Sequence, residues 1–197
     1  MTQAVQARTL KTRARLVQAA EAVIAETGYA AMRVDEVVKR AGVAKGTFFA
    51  HFRDKDALME RLIGERIDHH LDDLERHPFP GSVDALVTML LPLLRFMSSE
   101  RYVFDVILRH SGAAAIDLIG PLAMTFERFV VIASGWTSAR HFRDDVSPEL
   151  LAEGIQSFMM NAIALQFCAL HNSEPIDAKL RAYLEAWLLA PLASGQR

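Results

Sequence analysis

Apolar residues at Val34, Val37, Val38 and Ala41 recur at i, i+3, i+4 and i+7, one buried face of a short helix. Gly42 then supplies the permissive backbone that ends it. Phe48 and Phe52, four apart, give the next short helix its own buried face. Around them Lys45, Gly46, Thr47, Phe49 and His51 are free to face outward. Upstream, a longer helix is expected from about Thr9 to Thr27, with residues 1–8 a loose arm. Downstream, Asp54 is a good N-cap for a helix starting near Lys55. Leu58, Leu62, Ile63, Ile67, Leu71 and Leu74 carry its apolar side, and it should stop before Pro78, Pro80 and Gly81. Such a helix spans about 30 Å, long enough to link two parts of a molecule.

The remaining pattern predicts helices near 83–98, 101–111, 116–141, 148–171 and 176–190. Helix 83–98 is apolar nearly all round apart from Asp84, Thr88 and Arg95, which predicts a central, buried helix with a kink at Pro92. Arg101, Asp105 and Arg109, at i, i+4 and i+8, are expected to pair along their own helix. Gly120–Pro121 marks a break, and Ser147 before Pro148 starts the next helix well. From Phe158 to Leu170 the polar side of helix 148–171 closes over, implying burial both against its own body and against another subunit. Leu180, Tyr183, Leu184, Trp187 and Leu188 give the last helix a face to pair with it. The expected fold is all-α: a three-helix head over residues 1–54 on a larger helical body over 55–197, with 55–77 connecting them.

Charge sharpens this division. Residues 1–60 hold ten Lys/Arg against seven Asp/Glu, whereas 61–197 hold twelve against seventeen, with Lys179 the one lysine there. A basic head on an acidic body suits a polyanion-binding end and a body kept off the polyanion. Lys11, Arg13 and Arg15 oppose the helix dipole at the start of the first helix, so they could lie against phosphate or be plain solvated residues. One cysteine, Cys168 in an apolar run, fits a buried thiol in a reducing cytoplasm. No signal-peptide core is visible, and the apolar runs near 83–94 and 158–170 are too short or interrupted to span a bilayer. His69, His70 and Asp73 read as a wet helix face rather than metal ligands. No catalytic residue, cofactor or metal site is expected, because no phosphate loop, Cys/His spacing or nucleophile motif is present.

A helix-turn-helix with a small, cationic, hydroxyl-bearing second helix suits a DNA major groove. The GY at 28–29, the AGVAKGTFF run at 41–49, Phe52, and Lys55 followed by Leu58 resemble the head of tetracycline-repressor-type (TetR) regulators. With Leu16, Ala19, Ala20, Val23 and Ile24, the resemblance covers roughly residues 10–60. It implies that Lys45 and Thr47 touch base edges or phosphate and that Gly46 admits close backbone approach. It also implies that Lys55 grips phosphate, that His51 donates to phosphate, and that Phe48 and Phe52 are core. The chain departs from the family at three points. Phe49 stands where tyrosine is frequent, keeping a ring for a thymine methyl but losing a hydroxyl. Ala44 and Arg33 replace frequent serine and threonine caps, although Arg33 could itself meet phosphate.

The resemblance further implies that the last two helices form a four-helix dimer interface, here with Leu151, Ile155, Phe158, Ala162, Tyr183 and Trp187. In the body, Met89, Phe96, Phe104, Met124, Phe126, Trp136, Phe158, Met159 and Phe167 are large or adaptable side chains suited to a deformable pocket or to plain core. Asn161 and Gln166 interrupt an apolar stretch and so are expected to meet a ligand, a subunit or a backbone group. The expected function is a homodimeric repressor released from a palindromic double-stranded operator by a small apolar effector. Control by a protein partner without a ligand, and an uncharacterised helical enzyme, stay open as alternatives.

Overall fold

The computed structural model describes residues 2–111, 120–138, 141–170 and 173–189. They form nine helices and no strand: α1 (Thr2–Thr27), α2 (Val34–Ala41), α3 (Lys45–His51), α4 (Lys55–Arg76), α5 (Val83–Met97), α6 (Arg101–His110), α7 (Pro121–Thr137), α8 (Pro148–Gln166) and α9 (Ile176–Leu188). The all-α expectation stands. The first helix begins at Thr2, so residues 2–8 of the expected loose arm are helical. The expected stretches 116–119, 139–140, 171 and 190 lie outside the described residues.

Local chemistry fixes the helix ends. Gly42 sits at φ +62°; its N–H donates to the Lys39 carbonyl at 3.2 Å and that of Val43 to Val38 at 3.1 Å, closing α2. Asp54 Oδ1 accepts from the Ala57 N–H at 2.8 Å and caps α4. Ser82 and Ser147 cap α5 and α8 in the same way, through Ala85 and Leu150. Arg33 and Ala44 cap nothing, as their side chains require.

α4 is the spine. Leu58, Met59, Leu62, Ile63, Ile67, Leu71 and Leu74 are buried along it, and the buried apolar residues form one connected cluster from Leu16 to Leu188. The closest helix pairings are α7 with α8 and α4 with α7. A Cβ on Gly64 would stand 3.3 Å from the Leu122 backbone nitrogen, so glycine lets the start of α7 lie directly on α4. Arg128 on α7 then reaches Asp68 at 3.0 Å, Asp72 at 2.6 Å and Glu75 at 2.9 Å, all on α4. These bonds, first to Glu75 and then to Asp72, hold the guanidinium charged beyond its usual range.

Three expectations are corrected here. α5 is not enclosed: Asp84, Ala85, Thr88, Pro92 and Arg95 form an exposed stripe, with Pro92 inside the helix. Arg109 leaves its own helix to meet Asp56 on α4 at 3.1 Å, and Arg101 donates to the Phe167 carbonyl at 3.4 Å, so α6 is tied to its neighbours instead of to itself. Cys168 lies just past α8 and is half-buried rather than deep in the core.

Two stability predictions follow from these contacts. A Cβ at Gly154 would overlap the Trp187 indole, whose Nε1–H donates to the Leu151 carbonyl at 3.1 Å. Gly154→Ala should therefore cost about 1–3 kcal/mol in denaturant unfolding. Asp54→Ala should cost about 1 kcal/mol at neutral pH. The Ala57 N–H bond, ahead of the Arg53 contact, depresses the Asp54 pKa below its ordinary 3.8. A depressed pKa gives stability that is present above the unfolded value and lost as pH falls through the folded one. Melting curves of the two proteins should thus draw together as pH falls below about 4 and meet only below the depressed Asp54 pKa.

Candidate nucleic-acid interface and effector site

α3 is only seven residues long and is positioned by its phenylalanines. Phe48 is fully buried and Phe52 nearly so, and their rings meet at 5.5 Å. Arg13 on α1 stacks over Phe52 at 5.1 Å. Arg15 donates to the Ala41 carbonyl at the end of α2, joining α1 to the turn. With this face committed, Lys45, Gly46 and Phe49 point outward, and Phe49 is half exposed. A Cβ at Gly46 would meet nothing within 4 Å, so the fold itself does not require glycine there. Lys45 pairs with Asp35 at 2.8 Å, but both side chains are well exposed, so the pair contributes little and leaves the ammonium available.

A cleft between α1 and the α2–α3 turn brings Arg8, Lys11 and Arg15 beside Gly42, Thr47 and His51. Arg8, Lys11 and Arg15, at i, i+3 and i+7, share one side of α1. Arg8 was missed in the sequence because residues 1–8 were read as an arm. Arg33 is exposed, away from this cleft's lining. Lys55 is engaged internally: its Nζ donates to the Ala30 carbonyl at 3.1 Å and lies 4.8 Å from the centre of the Tyr102 ring. Burial lowers its pKa, opposed by Asp56 and Glu100.

Between α4, α5, α7 and α8 the described residues leave a small gap of about 30 Å³. Ile67, Leu71, Leu93, Met97, Phe126, Phe129, Met159 and Met160 surround it. That is room for roughly one water. Its two polar neighbours are already bonded: Gln156 Nε2 donates to the Phe126 carbonyl at 2.8 Å, and the Thr125 hydroxyl to Leu122 at 2.6 Å.

The other expected pocket residues are dispersed, because half-buried aromatics serve several separate contacts. Met89 lines an open groove between α4 and α5, and Phe96 another beside α1. Phe104 stacks on Phe167 at 5.9 Å, Trp136 meets Phe129 edge-on at 6.4 Å, and Met124 is 54% exposed. Phe158 stacks on Tyr183 at 5.1 Å on the outer side of α8 and α9. Asn161 and Gln166 are exposed, and the Asn161 amide donates to the Tyr183 hydroxyl at 3.1 Å, so neither points into the body. Leu151, Ile155 and Ala162 are buried in the subunit's own core and cannot form a subunit face, unlike half-buried Phe158, Tyr183 and Trp187. His70 is half-buried with its ring 5.6 Å from Phe96, not on a wet face, and burial ahead of Arg66 lowers its pKa. Among the described residues no three His, Cys, Asp or Glu side chains converge as metal ligands, and no helix is long and apolar enough to cross a membrane.

The model of the bacterial regulatory proteins of the tetR family matches residues 16–62, the span that contains the helix-turn-helix. This places residues 16–62, in the head of the chain, in the tetR family. It is similar to an uncharacterized HTH-type transcriptional regulator, YvdT, of Bacillus subtilis (strain 168): 31% identity over 100 residues, 51% of this chain and 52% of that protein. The chain thus spans about half the length of that relative. An uncharacterized HTH-type transcriptional regulator of Haemophilus influenzae is 25% identical over 183 residues, 91% of this chain and 89% of its own length. In fold, the crystal structure of Thermus thermophilus FadR, a tetR-family repressor in complex with lauroyl-CoA, matches with a TM-score of 0.63 at 18% identity, covering 94% of this chain and 100% of that one.

Gly46→Ala tests whether the interface or the fold asks for glycine. Replacing a helical glycine with open space around it should raise stability by about 0.5–1 kcal/mol in thermal melts.

Proposed function

We propose that the chain is a DNA-binding transcriptional repressor acting as a homodimer in the cytoplasm, without enzymatic activity. Residues 1–54 read the operator, and 55–197 bind the effector and the second subunit. The observation that carries this reading is the outward surface of α3. Lys45, Gly46 and Thr47 are presented by a buried Phe48–Phe52 anchor, beside the cationic side of α1. Phosphate contacts from Arg8, Lys11 and Arg15 would position the head, and Thr47 and Phe49 would meet base edges. His51, Arg33 and Lys55 are further phosphate candidates, Lys55 after release from Ala30.

The effector is a small, largely apolar molecule that opens the gap between α4, α5, α7 and α8. Flexible Met97, Met159 and Met160 around it can yield to an acyl chain of the kind borne by lauroyl-CoA in the Thermus structure. The outer face carrying Phe158, Tyr183 and Trp187 is the proposed subunit contact. The effector's influence is limited to its differential affinity for the two head arrangements.

Duplexes selected from a random library against the protein should be palindromic, with half-sites about 34–36 Å apart or a multiple of that spacing. Thr47→Ala should weaken such a duplex by about 1–3 kcal/mol and relax specificity at one position. Lys11→Ala should weaken all sequences alike and lower the salt slope by about one. Light scattering should give a dimer at micromolar concentration, and a charge at Phe158 should dissociate it. A monomeric wild type, or no selected sequence, removes the reading.

A further inference from the structure

The turn after α1 is held from both sides by body residues. Tyr29 N–H donates to Glu100 Oε1 at 2.8 Å, and Ala30 N–H donates to Oε2 at 3.0 Å. One carboxylate therefore receives two adjacent backbone amides across a separation of about seventy residues. The carbonyl of the same Ala30 accepts from Lys55 Nζ. Gly28, at φ +85°, makes the approach possible: a Cβ there would stand 2.9 Å from Glu100 Oε1. Tyr29 adds an edge contact to Phe96 at 6.1 Å.

Glu100 occupies the N-cap position of α6, yet its side chain makes no capping bond to its own helix. Glutamate is not among the favoured caps, and serine or aspartate would satisfy α6 better. Its carboxylate is instead spent on the head. A local rule is broken where a longer-range contact gains. Two further ties run from α6 to the first turn of α4. The Tyr102 hydroxyl donates to Asp56 at 3.2 Å, and Arg109 meets Asp56 at 3.1 Å. Burial and the Asp56 charge push the Tyr102 pKa up to about 12, so this hydroxyl stays a donor.

We propose that Glu100 is a positioning residue for operator binding: through Tyr29 and Ala30 it fixes the angle of the DNA-reading head on the body. The inference rests on the operator-binding reading above. Glu100 touches no DNA. Its charge-assisted bonds restrict where the two heads of a dimer can point. The consequence falls on binding that needs both heads at once.

The test uses the full chain with Glu100→Gln and Glu100→Ala. Two duplexes of equal length are compared, one with both selected half-sites and one with a single half-site. Glu100→Ala should bind the two-site duplex about tenfold more weakly, the scale of losing a pair of charged hydrogen bonds. Its affinity for the single-site duplex should stay within about twofold, since each head is intact. Glu100→Gln, which keeps one neutral acceptor, should fall between. Without DNA, hydrogen exchange at the Tyr29 and Ala30 amides should accelerate in both variants, while α1 core amides around Ala20 and Val23 keep their rates. Equal losses on both duplexes would overturn the proposal, because Glu100 would then support the head's fold and not its position. Unchanged amide exchange, or two-site affinity within about twofold of wild type, would overturn it also. A wild type that selects no duplex would defeat the operator reading instead, and the exchange measurement would still decide whether the latch exists.

Discussion

Close approach of α7 to α4 at Gly64 sets most of the body. With no side chain on Gly64, the backbone at Pro121 and Leu122 rests on α4, and α7 follows it. That spacing brings Arg128 within reach of three carboxylates on successive turns of α4. It also lets Gln156 on α8 find the Phe126 carbonyl, and it narrows the space among the four helices to a small gap. Packing at near-crystal density leaves little slack, so a bulkier residue at 64 would move the helix and every partner that α7 holds.

The head was legible because its chemistry is local. The period of Val34, Val37, Val38 and Ala41, the left-handed Gly42 and the Phe48–Phe52 pair each depend on neighbours within four residues. The body helices were legible as helices for the same reason. Their contents were not. Periodicity says that Leu151, Ile155 and Ala162 face something apolar, but not whether it is their own subunit or another. Asn161 interrupts an apolar run, which suggested a buried amide. In fact it sits on the exposed side, with the Tyr183 hydroxyl as its partner. The scattered aromatics looked like one pocket in sequence and are several unrelated contacts in space.

The long-range ties of polar side chains were the least legible part. Spacing along the chain suggested only that Arg109 pairs on its own helix surface, and said nothing of the long-range bonds of Lys55 and Glu100. All three side chains reach residues on other elements: Asp56, Ala30 and the Tyr29–Ala30 amides. Long flexible side chains make such ties at distances that spacing rules along one helix do not cover. Burial of their stems also makes the ties more specific than surface pairs. The uncapped starts of α2 and α3 show the complementary case, where a missing side chain was read from sequence and the bond is indeed absent.

The uninterrupted apolar side of α4 has a thermodynamic consequence. The buried cluster runs without a break from Leu16 in α1 to Leu188 in α9, so among the described residues head and body share one core. A shared core couples the unfolding of the parts that line it. Helices α2 and α3, eight and seven residues long, are too short to be stable alone and draw their stability from the packing around them. A loosened contact as distant as α9 then changes the fraction of molecules with a folded α3. Abundance of the reading-competent form becomes a property of the entire chain.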